Sequence, residues 1–432
     1  VKKSWASRRG KREFDIVVFG ATGVAGAATA RYLADHAPQG VSVALAGRNR
    51  AKLEQVRRSL PDRAADWTLI EADAGSPASM DAMATRTRVV MTTVGPWLRY
   101  GENLVASAVN AGTHYLDLTA ETPFVRWSID KFHDQAAQNG TRIIHSCGFD
   151  SVPSDVTAYL LHRAAADDGE GTLGDTTMIL RQIWGWVSGG SVDSFRVIAG
   201  LVGNRPQLRQ VLDPDALTNN PGESRPRPKQ PFDGRIINAA RVDPSLRGTL
   251  APFPVSIYNT RIVRRTNALL GDAYGPDFRY SEGIRLVRLP IVSTVVAGAV
   301  VLGCAVAFAS MATPPIRRAL DIVLPKPGTG PSDKTMDRGY LGVETYTRTS
   351  TDARYVATFK LAGDPGYKGT AVMFAECALG LVLDADRLPV RAGVLTPVAA
   401  LGDVLVERLR AAGVTLECAR SDNDMTTSGM RA

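Results

Sequence analysis

A doubly wound α/β fold is what this sequence predicts, and three observations carry that prediction. Apolar runs of strand length, from DIVVF at residue 15 to TRIIH at residue 141, alternate with segments of helical spacing. A glycine-punctuated turn, GATGVAG, joins the first run to the first helix. The runs are rich in Val, Ile, Leu and Ala, the composition of strands buried on both faces of a parallel sheet.

Ile16 to Phe19 reads as the first strand and Val24 to Leu33 as the first helix. Between them Gly20 permits a tight turn, Gly23 lets the chain approach a phosphate, and Gly26 leaves room for the helix to pack on the strand. With Thr22 and Val24, these residues aim free N–H groups and the positive end of the helix dipole at a pyrophosphate. VSVALAG, residues 41 to 47, is the second strand, and it ends where the adenosine ribose of a dinucleotide lies. The carboxylate that would bind the two ribose hydroxyls is missing. GRNRAKL instead sets Arg48 and Asn49 there, with Arg50 and Lys52 nearby. A guanidinium grips a 2′-phosphate in two places and lies against adenine, whereas a carboxylate would repel the phosphate. The cofactor read from this Rossmann-type half is therefore NADPH.

WTLIEAD, residues 67 to 73, is the third strand, with Asp73 either reaching the adenine amino group or capping the next turn. RVVMTTVGP, residues 88 to 96, is the fourth, after which Gly95 and Pro96 let the main chain run close to the nicotinamide ribose. A helix over 101–110, a short strand in THYLDLTAE, a helix over 124–138 and the strand in TRIIHS complete the series and open into the loop CGFDSVPSD. Loops 95–101, 117–121 and 147–155 converge past the carboxyl ends of the strands, where ligands bind in such sheets.

Beyond residue 155 the pattern changes. TTMILRQI, SVDSFRVIAG and ARYVATFKLAG alternate like strands of a mixed, largely antiparallel sheet, and Asn219 to Gly234 reads as a long loop. The expected division is a flexible basic arm over 1–12, a dinucleotide domain over 13–155, a substrate and interface domain over 156–388, and a segment over 389–432 that returns to the first domain through a helix over 401–413. The 20-residue run IVSTVVAGAVVLGCAVAFAS, residues 291 to 310, carries no charge and predicts an apolar helix. It reads as a core helix, a dimer interface or a contact with the inner face of the plasma membrane.

The chain has 432 residues, 44% of them hydrophobic, enough for two cores. Four scattered cysteines and five scattered histidines give no metal-ligand spacing, and imply a reduced cytoplasmic chain. The net charge of +8 favours acidic partners, but no nucleic-acid recognition pattern accompanies it.

The motifs GATGVAG, AGRNRAKL, TTVGPW, HYLDLTAE and GFDSVPSD, followed by NTRIVRRTNAL, PKPGTGPS, DPGYKGTAVM and GVLTPVAALGD, span about residues 13 to 420. In these the chain resembles the saccharopine-dehydrogenase-like oxidoreductases, most closely the mycobacterial trans-acting enoyl reductases of phthiocerol and phenolphthiocerol lipid synthesis. The resemblance implies an NADPH-dependent enzyme that saturates a double bond in a long acyl thioester on the carrier domain of a polyketide synthase. It also implies a catalytic domain inserted into the dinucleotide fold. Two alternatives stand beside it: a saccharopine-type amino-acid-linked dehydrogenase, and a non-catalytic NADPH-binding, lipid-associated protein.

Reduction of an enoyl thioester needs a hydrogen-bond donor at the enolate oxygen and a proton for the α carbon. Tyr100 and Asp150 are candidates for these roles, with packing across the domain seam as the other reading of Tyr100. Ser154 and Asp155 in the same loop as Asp150 read as helix caps before catalytic groups. Tyr367 and Lys368 in DPGYKG are candidates for contact with the thioester or the cofactor phosphates, or belong to a solvated loop. Cys147 reads as a buried hydrophobe. His114 and His145 are possible proton carriers for which the sequence shows no orienting carboxylate. Arg261, Arg264 and Arg265 are expected on a surface that attracts an acidic carrier domain or, in the amino-acid reading, in the cleft.

Overall fold

In the computed structural model, residues 12–185, 196, 199–200, 205–287, 290–313, 316 and 330–421 are described. The strands in chain order are β1 (Phe14–Phe19), β2 (Val43–Gly47), β3 (Thr68–Glu71), β4 (Thr87–Thr92), β5 (His114–Asp117), β6 (Arg142–Ile144), β7 (Leu173–Trp184), β8 (Ile237–Asn238), β9 (Thr249–Pro252), β10 (Arg279–Ile284), β11 (Tyr340–Thr349), β12 (Arg354–Ala362), β13 (Gly393–Leu395) and β14 (Thr415–Arg420). The first sheet runs β13-β6-β5-β4-β1-β2-β3, and every neighbouring pair is parallel. From β1 the chain winds outward to β2 and β3, then returns to the other side of β1 at β4. That reversal opens a crevice beyond Phe19 and Thr92, which are register partners at the ends of β1 and β4.

Alternation along β1 supplies two cores. Ile16 and Val18 join the cluster on one face of the sheet, while Val17 and Phe19 join the cluster on the other. The covering helices are α1 (Val24–His36), α2 (Arg50–Ser59), α3 (Pro77–Ala84), α4 (Trp97–Tyr100), α5 (Glu102–Ala111), α6 (Thr122–Asn139) and α7 (Val152–Asp167). α5 and α6 stop at Gly112 and Gly140, which take the left-handed conformation that ends a helix without a Cβ penalty.

The second sheet runs β14-β12-β11-β7-β10-β9-β8 and is antiparallel except where β7 meets β10. TTMILRQI lies in β7 and ARYVATFKLAG in β12, whereas SVDSFRVIAG falls largely outside the described residues. The second sheet therefore answers to the mixed, largely antiparallel pattern of the sequence.

Three expected boundaries move. Arg12 is not part of a free arm, because its guanidinium donates to the carbonyls of Thr85 and Ala111. The helix Thr370–Leu383, expected in the second domain, packs against α1, β1 and β4 of the first. The C-terminal segment is divided: β13 extends the first sheet beside β6, but β14 pairs with β12 on the edge of the second. The chain thus leaves the dinucleotide fold after α7, builds the inserted sheet, returns for residues 370–411, and its last described strand, β14, lies on the insert.

Candidate active site

The phosphate turn is built by local sterics. Gly20 has φ of 89°, and a Cβ there would lie 2.6 Å from Thr93 Oγ1. A Cβ on Gly26 would lie 2.2 Å from the Gly20 carbonyl oxygen, so only glycine lets α1 approach the turn this closely. Gly23 precedes α1 with an ordinary extended backbone, and no side chain caps the helix. Its first N–H groups are left for a ligand, bordered by Thr22 and Val24.

Arg48 is exposed immediately after β2 and forms no ion pair with any described residue. Asn49 caps α2 by accepting from Lys52 N at 2.9 Å, and Arg50 faces Glu54 at 3.6 Å. Asp73 folds back to accept from Gly75 N at 3.0 Å, so its carboxylate shapes the turn after β3. Of the basic residues in this region, Arg48 alone combines position at the strand end with a side chain unclaimed by a described partner.

Three loops are expected at the nicotinamide end. Glu121, fully buried, accepts from Trp97 N at 3.2 Å and Leu98 N at 2.7 Å and so fixes the start of α4 just after Gly95 and Pro96. The Trp97 ring packs under Gly95, and its buried indole N–H has no acceptor among the described residues. Tyr100, at the end of α4, is 38% exposed with the Arg99 guanidinium over its ring.

Asp117 is the polar centre beneath these loops. One carboxylate oxygen pairs with His145 Nδ1 at 2.7 Å and Tyr115 OH at 2.9 Å; the other accepts from Ser146 N and Thr119 N. His145 does have an orienting carboxylate, contrary to the sequence reading, and Ser128 Oγ meets its other nitrogen at 3.0 Å. Ser146, at φ of 67°, donates its hydroxyl to the Thr119 carbonyl, so the oxygen remains to accept from Tyr258 OH. Tyr258 reaches in from the helix Ser256–Leu269 of the inserted domain, and burial holds its phenol well above the usual range.

Asp150 lies four residues beyond Ser146. Some of the residue remains open to solvent, but protein crowds the carboxyl and that loss of water raises its pKa to about 6. The next residue, Ser151, contacts Asn259, which donates to Glu282 at 3.1 Å; Tyr280 OH donates to the same carboxylate at 3.2 Å. Burial pushes Glu282 up to about 7 despite these bonds. The loop 147–155 is therefore clamped between Asp117 on one side and the inserted domain on the other.

Ser154 and Asp155 do not cap α7, which begins at Val152, ahead of both. Asp155 accepts from Thr266 OH and from Val398 N at 3.0 Å, tying α7 to the inserted helix and the returning segment. Burial raises it to about 7. Cys147 is fully buried, as a small hydrophobe would be, and the same burial raises its thiol. His114 accepts from Arg142 N, a bond between neighbouring strands.

Tyr367 and Lys368 sit in a helical turn over Pro365–Gly369 that packs against α1. Tyr367 is buried, while Lys368 is exposed and paired with Asp337. The following Thr370 accepts from Phe149 N at 3.1 Å, which brings this turn against the Asp150 loop. Sequence reasoning missed Tyr258, Asn259 and Glu282; the polar residues of SIYNT at the head of an otherwise basic helix were the available signal.

The arginine expectation is overturned. Arg261, Arg264 and Arg265 are 1%, 3% and 1% exposed, too buried to greet a carrier domain. They donate to the carbonyls of Leu212, Asp213, Pro214, Leu217, Tyr280 and Val394, and Arg261 also pairs with Asp233. Burial lowers Arg264 to about 10 and Arg265 to about 9. Their work is to satisfy buried backbone carbonyls, those of residues 212–217 above all, with Tyr280 in β10 and Val394 in β13.

Comparison with known proteins adds three findings. Residues 16–144 match the saccharopine dehydrogenase NADP binding domain. Two proteins of Mycobacterium tuberculosis H37Rv described as trans-acting enoyl reductases are each 47% identical to this chain, over 419 and 416 residues, covering 95% of it and 98% and 99% of themselves. A trans-acting enoyl reductase of Mycobacterium ulcerans Agy99 is 45% identical over 416 residues, 95% of this chain and 99% of its own. Among solved structures, saccharopine dehydrogenase (L-Glu forming) of Saccharomyces cerevisiae superimposes with a TM-score of 0.52 at 14% identity, covering 94% of this chain and 99% of that one. That likeness shows the shared fold.

Proposed function

Because this chain belongs to the trans-acting enoyl reductase family, with a saccharopine dehydrogenase NADP-binding domain, we propose that it reduces the α,β double bond of a long acyl thioester carried by a polyketide synthase during complex-lipid synthesis. It is an NADPH-dependent oxidoreductase. The observation that carries the proposal is an alignment at 47% identity overall that covers 95% of this chain and so spans the inserted domain as well as the dinucleotide half.

The residues present fit the cofactor. The glycine turn keeps a close approach that a Cβ at Gly20 or Gly26 would break, α1 presents an uncapped N-terminus, and the Trp97 indole N–H lacks an acceptor among the described residues. Gly20, Thr22, Gly23, Val24 and Gly26 would hold the pyrophosphate, and Arg48, beside Asn49, the 2′-phosphate; Asp73 borders the adenine end, and Gly95, Pro96 and Trp97 the nicotinamide end. The chemistry NADPH supplies when bound is hydride delivery to the β carbon.

What remains for the chain is to steady the enolate oxygen and protonate the α carbon. Asp150 is the group we assign to the proton: with a pKa of about 6 its carboxyl holds a proton in about a tenth of molecules at neutral pH and regains it readily. Tyr258 and Ser146 position the loop that bears it, and Tyr100, exposed at the end of α4, is the candidate donor to the enolate oxygen. Tyr367 and Lys368 lie in the turn that packs against α1 and that meets the Asp150 loop through Thr370.

The amino-acid-linked alternative loses its main support, since the three arginines that would bind substrate carboxylates are occupied by backbone carbonyls. The test is turnover of NADPH by the purified chain with an enoyl thioester and, separately, with an aminodicarboxylate plus an aldehyde, whose imine would accept the hydride. Oxidation with the thioester only is expected; oxidation with the aminodicarboxylate and aldehyde only overturns the proposal. In the thioester assay, kcat should fall as pH rises through about 6, because the acid form of Asp150 is lost, and Asp150→Asn should lower kcat by about 100-fold or more and remove that limb. An unchanged pH profile in Asp150→Asn removes Asp150 from the proton step.

A further inference from the structure

The helix Pro290–Ala312 is out of place by composition. Its 23 residues include no charge, yet a stretch of about two turns from Val301 to Ala307 is exposed. Ser293 and Ala297 are buried where the helix meets β9, and Ser293 accepts from Thr249 N at 2.9 Å. From Val301 to Ala307 every residue is exposed, round the whole circumference, with Leu302 at 66% and Val306 at 56%. A helix that is apolar on all sides belongs in an apolar medium.

The exposed apolar surface continues at its base. Leu286, four residues before the helix, and Ile183 and Trp184 at the end of β7 are all exposed, and together they line one groove with Arg181, Arg285 and Tyr340. Exposed tryptophan beside arginine is the residue pairing of a lipid headgroup boundary. In the sequence, Arg285 and Arg288 precede the helix and Arg317 and Arg318 follow it, within a chain of net charge +8.

The topology limits how a bilayer is met. β10, before the helix, and β11, after it, both pair with β7 in one sheet. The chain therefore enters and leaves on the same side, and a single crossing is excluded. A second copy of the chain would bury one stripe of the helix and leave the opposite side wet, whereas hydrocarbon covers the full circumference.

We propose that the helix Pro290–Ala312 inserts into one leaflet of an anionic bilayer, with the Trp184 and Leu286 surface at the headgroups. Its length of about 34 Å allows it to lie within the leaflet without crossing. This inference stands apart from the enoyl reductase reading, since lipid binding is read without turnover.

Flotation of the full chain with vesicles of phosphatidylcholine containing about one-third phosphatidylglycerol tests it, against Val295→Asp/Leu302→Asp and Leu302→Asp alone. Both positions are exposed, so retained NADPH binding is expected and serves as the folding control; the single variant decides if the pair loses the nucleotide. The wild type should float and remain bound in high salt, and the aspartates should cut binding about tenfold or more. Failure of the wild type to float, or equal flotation of the variants, overturns the proposal. So does a dimer, seen by sedimentation, that the aspartates dissociate without any change in flotation.

Discussion

Two groups of arginines do opposite work in this molecule. Arg48 stands exposed at the end of β2 with no described ion-pair partner, while Arg261, Arg264 and Arg265 are buried with their nitrogens directed at backbone carbonyls. Side-chain chemistry is the same in both. What differs is the supply of acceptors: the buried arginines meet carbonyls at residues 212–217 and those of Tyr280 in β10 and Val394 in β13, whereas Arg48 meets no described ion-pair partner. Arg48 is left to bind a ligand, and the three buried arginines are consumed by the fold.

The contrast is most open to attack at Arg265. Replacing it by Met leaves the carbonyls of Leu217 and Val394 without their donor in a buried site, and a loss of about 2–6 kcal/mol is expected by denaturant unfolding. A loss below about 0.5 kcal/mol would mean that those carbonyls are readily hydrated and that the arginine is not structural.

Gly26→Ala addresses the turn that Arg48 flanks. Its Cβ would meet the Gly20 carbonyl at 2.2 Å, so about 1–3 kcal/mol of stability and at least about tenfold in nucleotide affinity should be lost together. Titration of NADPH alongside unfolding would separate this from Arg48→Ala, where stability should stay within about 0.5 kcal/mol of wild type. In that variant the preference for NADPH over NADH should fall about tenfold, or about 1.4 kcal/mol. Equal affinity of the wild type for both nucleotides would remove Arg48 from the phosphate site.

The smallest effect concerns Glu282, a buried acid near the same inserted helix. Its folded pKa is about 7 against an ordinary 4.5, so between those values the folded state keeps a proton that the unfolded state releases. Its contribution to stability therefore falls as pH rises from about 4.5 and is fully lost above about 7. Glu282→Gln should flatten the slope of Tm against pH across that window. An unchanged slope would place the pH dependence elsewhere, with Asp155 the next group to replace.

The sequence made the phosphate turn legible because its causes are local: the positive φ of Gly20 and the close approach at Gly26 lie within seven residues. The pairing of Asp117 with His145 was not legible, although it follows from register. Tyr115 lies opposite Ile143 and Leu116 opposite Ile144, so the next pair is Asp117 and His145, but that requires knowing that β5 and β6 are neighbours. The buried arginines were harder still. Their partners are carbonyls distant in sequence, most of them in a segment without periodic pattern, and nothing in NTRIVRR distinguishes a donor to such carbonyls from a solvated cation. The apolar run over 291–310 was visible as a helix; its exposure depends on how little of it β9 covers.

Transfer of deuterium from NADPH labelled at its reactive carbon to a carrier-bound enoyl thioester tests the central claim most directly. The account predicts a saturated thioester that carries the label at the β carbon, formed in proportion to NADPH oxidised. Binding of NADPH with no labelled product, or label recovered only in an amino-acid substrate, would contradict it.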